Sequence, residues 1–342
     1  MSTKQVLSVI ALLASYGLAT PAPFPARGNH HAPEGFKPGS GFRPSGAVPS
    51  VPTSTPDPVT PDPASNPLQP AASGTPGKGN STGGGPTLPA GYKKIVFQDD
   101  FSRQKAGALP DSAKWKFDLG TSYPGGAANW GTQEIQTYTK DPKNIGITSS
   151  GTLAITPIKS GESWTSSRIE TTAAQDFKCP EGGKLRMEAS IKVPASDPAT
   201  QAGIWPAFWS MGSSFRENTA HCGVIDGGPC NEKTGISSSA EFPRGQFVKV
   251  ACEVDRSAGG SFQQEKLVWY VNDKPTQTVT GQQIGDATYW NNLARTPKMI
   301  LLNVAIGGEF PDAKAGTKTP NAQTVGGEKS MMEVKYVAVY ST

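Results

Sequence analysis

The chain has 342 residues and carries 32 lysines and arginines against 28 aspartates and glutamates, a net charge of +4 at neutral pH. A weak positive charge without a basic stripe argues against a nucleic acid partner. Three histidines without paired-ligand spacing make a zinc site a poor hypothesis.

The N-terminus is typical of a secretory signal over residues 1–19. Lys4 supplies the positive region, and residues 6–19 form an apolar run too short and too poorly flanked to span a membrane. A short buried helix is the alternative, but the proline-rich residues 20–23 argue against it. No later stretch is long and apolar enough to cross a bilayer. We therefore expect a secreted protein, extracellular or in the cell wall, with no membrane partner.

Residues 20–91 have the composition of a disordered linker. They contain more than half of the 31 prolines and few large apolar side chains, so burial there cannot offset the entropy lost on ordering. Asn80 begins an N-glycosylation acceptor pattern, and the Ser/Thr-Pro richness also fits an O-glycosylated stalk. The segment is interpreted as a spacer.

Residues 92–342 suit a single all-β domain of about 250 residues. Apolar and polar residues alternate along 185–193 and again along 248–255, which predicts half-buried strands. Asn272 and Asp273 follow a strand-like run and predict a hairpin turn. No amphipathic helix longer than a few turns is indicated. The further strand candidates are 93–101, 114–119, 134–139, 152–158, 166–172, 203–211, 266–271, 298–306 and 331–340. Together they predict two packed antiparallel sheets, as in a jelly roll.

The four cysteines, Cys179, Cys222, Cys230 and Cys252, favour disulfides over metal ligation in an exported chain. Three pairings are open. Cys222 and Cys230 bracket a glycine-rich loop, so they are the favoured local pair.

Several motifs, in order along 92–342, resemble segments of glycoside hydrolase family 16. Residues 129–139 (NWGTQEIQTYT) resemble its substrate-cleft segment, and residues 203–212 (GIWPAFWSMG) resemble the strand before the catalytic one. The other resembling segments are 164–170, 183–189, 301–308 and 332–340. The resemblance is greatest to the endo-β-1,3(4)-glucanase, or laminarinase-like, branch. It implies a concanavalin-like β-jelly-roll sandwich of two antiparallel sheets, with an open glucan cleft on the concave sheet.

The same resemblance implies a catalytic pattern that this sequence lacks. The family's retaining mechanism uses two glutamates on one strand in a Glu-x-Asp-x-x-Glu pattern, with carboxylates about 5 Å apart. Glu253 and Asp255 reproduce the first two acids, but they fall where the family has an ordinary later strand, so a solvated strand face is the better interpretation. Residues 222–226 reproduce the flanks of the pattern, with Val224 in place of the first glutamate. No catalytic residue can therefore be assigned.

The order of the motifs favours a missing segment. Residues 221–223 and 227–232 resemble the loop after the catalytic strand, so on the order of 20 residues or more are absent between about 215 and 220. A skipped exon or a mispredicted gene boundary explains a clean internal loss. In the family the absent strand lies centrally in the concave sheet, so we expect unpaired backbone groups and reduced stability, or a failure to fold.

The resemblance implies substrate-binding positions, which are Asn129, Trp130, Glu134, Arg168, Trp205, Trp209 and His221. Trp205 and Trp209 lie four apart on one strand and share a face, where they either floor the cleft or pack in a core; the resemblance favours the cleft for Trp205. The alternative to a binding role is a surface carboxylate for Glu134 and a surface ion pair for Arg168. The gap leaves the position of His221 open, and Asn303 is interpreted as structural.

Two functions from different classes follow. One is a secreted retaining endo-β-1,3(4)-glucanase, of which this chain is an incomplete version. The other is a non-catalytic β-glucan-binding module, with a non-functional splice product as a further alternative. The expected partner is a β-glucan polysaccharide, and a monomer is expected.

Asp99 and Asp100 lie in a segment that in the family can lie near a structural calcium site, and no other cofactor is indicated.

Overall fold

The computed structural model describes residues 85–217 and 238–342, and over these ranges the chain is built mainly from β-strands. The strands are β1 (Lys94–Asp99), β2 (Trp115–Phe117), β3 (Thr137–Tyr138), β4 (Ile145–Ile147), β5 (Leu153–Ile155), β6 (Ile158–Ser160), β7 (Ser163–Ser166), β8 (Arg168–Thr171), β9 (Lys184–Lys192), β10 (Ile204–Gly212), β11 (Val248–Asp255), β12 (Lys266–Val271), β13 (Lys274–Thr280), β14 (Lys298–Ile306) and β15 (Met332–Ser341). The helices are α1 (Gly281–Ile284), α2 (Ala287–Ala294) and α3 (Glu309–Ala315). Among the described residues, no helix is long and apolar enough to cross a membrane. The predicted signal and most of the predicted linker lie outside the described residues.

Two larger antiparallel sheets organise the fold. The eight-stranded sheet has the order β13-β12-β11-β9-β15-β5-β4, with β1 also paired to β15. The four-stranded sheet has the order β10-β14-β8-β2, and a small third sheet contains β3, β7 and β6. The predicted all-β class and jelly-roll sandwich are confirmed.

The main hydrophobic core of the described residues lies between the two larger sheets. From β9 it takes Leu185 and Met187, and from β14 it takes Ile300, Leu302 and Val304. Alternate residues of each strand point into the core, as the period of two along a strand requires. The alternation that predicted these strands is therefore confirmed on their inner faces.

The outer face of the eight-stranded sheet is more buried than the predicted half-buried strands imply. Arg186, Glu188 and Glu253 are only 6%, 2% and 7% exposed. Arg186 forms an ion pair with Glu188 at 2.8 Å, and Lys184 forms one with Asp255 at 2.9 Å. The polar side chains cover one another, so the interpretation of Glu253 and Asp255 as a solvated face is wrong. Both acids lie on β11, in the sheet across the core from the four-stranded sheet.

The predicted hairpin turn is confirmed. Asn272 and Asp273 join β12 to β13 with φ values of 48° and 63°. Asparagine and aspartate tolerate this left-handed region better than other non-glycine residues, which is why they are common in two-residue hairpin turns. The strand predicted over 134–139 shrinks to β3, because the loop before it follows an irregular path through left-handed conformations.

The cysteines only partly test the disulfide prediction. Cys179 and Cys252 are buried free thiols. Burial raises the pKa of the Cys179 thiol to about 12, so it stays protonated at neutral pH. Because both thiols are free, no disulfide links these two residues. Cys222 and Cys230, the favoured pair, lie outside the described residues.

Candidate functional site

The predicted site residues gather on the face of the four-stranded sheet that points away from the core, which we call the site face. On β10, Trp209 and Met211 lie in a small apolar cluster on this face, whereas Phe208 packs into the main core. Trp205 lies four residues before Trp209, and β10 pairs with β14 in continuous register between them. The expectation that the two tryptophans share a face is therefore confirmed. Both are half-buried and lie outside the main core.

The strand register brings residues of three strands together on the site face. Ala207 of β10 lies opposite Asn303 of β14, and Asn303 lies opposite Arg168 of β8. Leu301 lies between Trp209 and Glu170 in the next row. Within the described residues, β10 pairs only with β14, so the site face ends at β10 in this part of the chain.

Arg168 is the centre of a buried polar network. Its side chain is almost fully buried, and Nε donates to Asp118 Oδ2 at 3.1 Å while Nη2 donates to the Tyr123 hydroxyl at 2.9 Å. The guanidinium carbon lies 4.4 Å from the ring centre of Trp130 and 5.0 Å from that of Trp209. Burial opposes the charge, but Tyr123 and Asp118 outweigh it and hold the pKa of Arg168 above its ordinary value. The surface ion pair considered for Arg168 is therefore wrong.

Two carboxylates lie beside this arginine but are enclosed by the scaffold. The Tyr123 hydroxyl lies 2.8 Å from Asp118 and 3.2 Å from Glu170. Glu170 is 0% exposed and pairs with Arg216 at 3.0 Å. Burial raises the pKa of Asp118 more than Arg168 lowers it. Because both acids are buried and paired with arginines, neither is placed to attack a sugar, and they do not replace the catalytic pair.

Glu134 is held from three sides. It accepts hydrogen bonds from Thr132 Oγ1 at 2.8 Å, Gln136 Nε2 at 2.8 Å and the Tyr138 hydroxyl at 3.1 Å. Its side chain is 7% exposed, so the alternative of a surface carboxylate is wrong. Burial raises the pKa of Tyr138 well above its ordinary value, so this phenol remains a donor to the carboxylate.

A chain of hydrogen bonds links Glu134 to the floor of the site face. Asn303 Nδ2 donates to the Tyr138 hydroxyl at 3.0 Å, and Trp209 Nε1 donates to Asn303 Oδ1 at 2.8 Å. The amide of Asn303 thereby orients two aromatic side chains, which fits the structural role predicted for it. Trp209, Asn303, Tyr138 and Glu134 form one connected unit across β10, β14 and β3.

The loop that carries Asn129 and Trp130 has an unusual backbone. Asn129, Trp130 and Gln133 adopt φ values of 50°, 56° and 60°. The loop is fixed against the turn after β14, where a Cβ atom on Gly308 would lie 2.6 Å from the Thr132 carbonyl oxygen. Glycine is therefore required at 308 for the two segments to touch. Asn129 is exposed, and the Trp130 ring packs 5.0 Å from that of Tyr123.

No protein-family model matches the sequence. The fold and sequence are nevertheless similar to those of the solved endo-1,3-β-glucanase from Streptomyces sioyaensis, with 39% identity, a TM-score of 0.66, and coverage of 75% of this chain and 99% of that one. The chain belongs to glycoside hydrolase family 16. A non-specific endo-β-1,3(4)-glucanase of this family shares the fold at 21% identity and a TM-score of 0.52, over 76% of this chain and 98% of that one.

Among curated proteins, the chain is similar to the β-glucanase of Rhodothermus marinus, with 23% identity over 248 residues. The match covers 65% of this chain and 78% of that protein. The resemblance to family 16 inferred from the sequence motifs is thus confirmed, whereas the expected gap in the catalytic segment stays a prediction.

Of the residues that the family resemblance implied, six are brought to the site face or its bordering loop, and these are Asn129, Trp130, Glu134, Arg168, Trp205 and Trp209. His221 lies outside the described residues. The sequence did not single out Asp118, Tyr123 or Tyr138, which complete the two polar networks. Asp118 lies within the strand predicted over 114–119 and Tyr123 lies in an irregular segment, and neither position carries a local pattern that indicates a partner for Arg168.

The residues around Asp99 are poorly suited to the structural calcium site considered for this segment. Asp99 accepts a hydrogen bond from Trp115 Nε1 at 2.8 Å and pairs with Lys114 at 3.3 Å. A lysine ammonium beside the carboxylate competes with a cation, so the residues around Asp99 do not fit calcium. No group of three or more histidine, cysteine, aspartate or glutamate side chains that could hold a metal ion occurs in the part of the chain that is described.

Proposed function

We propose that the chain is a shortened form of a secreted, retaining endo-β-1,3(4)-glucanase, and that it binds β-glucan without hydrolysing it. The observation that carries this proposal is the contrast between a supported site face and a sequence without the catalytic pattern. Arg168 and Glu134 are both buried and fully engaged, as supports of a binding surface should be. A Glu-x-Asp-x-x-Glu pattern occurs nowhere in the 342 residues.

The chemistry of the site face suits a neutral polysaccharide. Aromatic rings provide apolar faces for the C–H groups of glucose, while ordered polar groups nearby recognise hydroxyls. The buried Arg168 guanidinium lies against the rings of both Trp130 and Trp209, which restricts the motion of the two indoles. A rigid aromatic surface binds with less loss of side-chain entropy than a flexible one.

The strained loop supports a binding role for Asn129 and Trp130. Non-glycine residues in the left-handed region cost on the order of 1 kcal/mol or more each, and such outliers cluster at ligand clamps. Asn129, Trp130 and Gln133 are three such residues within one short loop. The hydrogen bonds of Glu134 hold the C-terminal end of this loop in place.

Glucan binding can be tested with the full chain and laminarin, a soluble β-1,3-glucan, by affinity electrophoresis. We expect retarded migration that is largely lost in Trp130→Ala. Trp269→Ala removes a half-buried tryptophan on β12, in the other sheet, and is the matched control that should retain binding. No retardation of the wild-type chain, or equal loss in both variants, would overturn the binding function.

The shortened form can be tested in the transcript. We expect an in-frame insert between the codons for Phe215 and His221 that encodes the Glu-x-Asp-x-x-Glu pattern. An uninterrupted junction in every transcript would overturn the retaining-glucanase part of the proposal and leave a dedicated glucan-binding module.

A non-functional splice product is the competing interpretation, and it is favoured by the pairing of β10 on one side only among the described residues. Thermal unfolding separates the two. A single cooperative transition together with glucan retention supports the binding protein, whereas a broad transition without retention supports the non-functional product.

A further inference from the structure

The two tryptophans of β10 are supported in different ways. Trp209 is fixed by its hydrogen bond to Asn303 and by the guanidinium of Arg168. Trp205 lies opposite the small side chain of Ala305, so β14 gives the large indole little lateral contact. Its ring contact within the described residues is Phe310, whose ring lies parallel to the indole, at 4.8 Å between centroids and 11° between planes.

Phe310 is itself held in place by the first turn of α3. The preceding backbone N–H, that of Glu309, donates to the Thr132 carbonyl at 2.8 Å. Asp312 accepts from both the backbone N–H and the hydroxyl of Thr319, at 2.7 Å and 2.9 Å. The helix therefore connects the loop that precedes Glu134 with the segment beyond α3, and Phe310 has a defined position between them.

We propose that Phe310 is a positioning residue for glucan binding: it backs one face of the Trp205 indole and so presents the opposite face to a glucose ring. This inference rests on the proposed function, because it assumes that the site face binds β-glucan. An indole that is already fixed loses less rotamer freedom when a sugar stacks on it. A parallel phenyl ring is suited to this, because offset stacking constrains the plane of its partner as well as its position.

The test is a double-mutant cycle on laminarin affinity in the full chain, using Phe310→Ala, Trp205→Ala and the double variant. We expect Phe310→Ala to weaken binding about two- to tenfold, the range that one aromatic pair contributes. Trp205→Ala should weaken it more. In the Trp205→Ala background, Phe310→Ala should have no further effect, because the ring it positions is gone.

Two conservative variants separate positioning from general stability. Phe310→Tyr keeps the ring and should retain wild-type affinity, whereas Phe310→Leu keeps an apolar side chain without a ring and should lose affinity. The tryptophan band at the long-wavelength end of the near-ultraviolet circular dichroism, where tyrosine does not absorb, should change in Phe310→Leu and not in Phe310→Tyr, since it reports the environment of the indole.

The outcomes are distinguishable from those for the proposed function. Wild-type laminarin binding is measured first, and its absence overturns both the proposed function and the role of Phe310. If the wild type binds, wild-type affinity in Phe310→Ala overturns the positioning role alone. Independent, additive losses in the two single variants overturn it as well.

Discussion

The two large sheets of this molecule differ in how their strands are supported. In the eight-stranded sheet, β9 is paired with β11 on one side and β15 on the other, and a layer of ion pairs covers its outer face. In the four-stranded sheet, β10 carries the tryptophans of the site face but is paired on one side only among the described residues. The scaffold and the functional surface therefore depend on different sheets, and a loss at the functional surface leaves the pairing of the other sheet intact.

The largest expected effect concerns the two buried arginines, one in each sheet. Arg168→Ala leaves the carboxylate of Asp118 buried without its cation, which should cost about 3–5 kcal/mol of unfolding free energy. Arg186→Ala in the eight-stranded sheet is the matched variant, and it leaves Glu188 buried without its cation in the same way. It should cost less, because its other partner, Asp273, is 57% exposed and can be solvated, and because Arg186 packs on one aromatic ring whereas Arg168 packs on three. Urea unfolding of both variants measures the difference. A larger loss for Arg186→Ala would contradict the assignment of Arg168 as the centre of the buried network.

A pair of methionines compares the apolar packing of the sheets. Met187 on β9 is buried in the main core, whereas Met211 on β10 belongs to a cluster with Met299 and Leu301. We expect Met187→Ala to lower the unfolding free energy by about 2–5 kcal/mol and Met211→Ala by less, because β10 is paired on one side only among the described residues and its surroundings can relax. Equal or reversed losses would show that β10 is as firmly packed as β9.

The smallest effect is the pH dependence of the polar layer on the eight-stranded sheet. Burial opposes ionisation of Asp255, but hydrogen bonds from Ser257 and Lys184 outweigh it and lower its pKa to about 2 from an ordinary value of 3.8. A lowered carboxylate pKa stabilises the fold above the unfolded value and loses this effect as the pH falls towards the folded one. Asp255→Asn should therefore cost about 1–2 kcal/mol at neutral pH, allowing for solvent screening.

The wild-type advantage over Asp255→Asn should be constant above about pH 4 and shrink between pH 4 and pH 2. Urea unfolding at several pH values measures it. A difference that persists unchanged to pH 2 would show that the charge of Asp255 has no part in stability.

The sequence was informative where periodicity and turn chemistry act locally. The alternation on β9 and the Asn272–Asp273 turn both predicted the observed structure, because each depends on residues that are close in the chain. The site was predicted less completely. Six implied residues do gather on or beside the site face, but the burial of Arg168 and Glu134 depends on Asp118, Tyr123 and Tyr138, which come from other segments.

Burial by neighbouring polar side chains was the main effect that the sequence could not reveal. Glu253 and Asp255 have the alternation of a solvated strand face, yet the Lys184 side chain of β9 pairs with both of them. Likewise, nothing in the spacing of Trp205 and Phe310 indicates that their rings are parallel and in contact. These features arise from long-range register, which a single sequence does not encode in any local pattern.

The central claim, that a supported glucan-binding face lacks its catalytic acids, is tested most directly by the release of reducing ends from laminarin. The full chain is incubated with laminarin at concentrations at which binding is saturated, with the heat-denatured chain as control. We expect the chain to bind laminarin and to release no more reducing ends than the heat-denatured control. Sustained release of reducing ends by the purified wild-type chain would contradict this claim, because it would require a catalytic pair in a sequence without the Glu-x-Asp-x-x-Glu pattern.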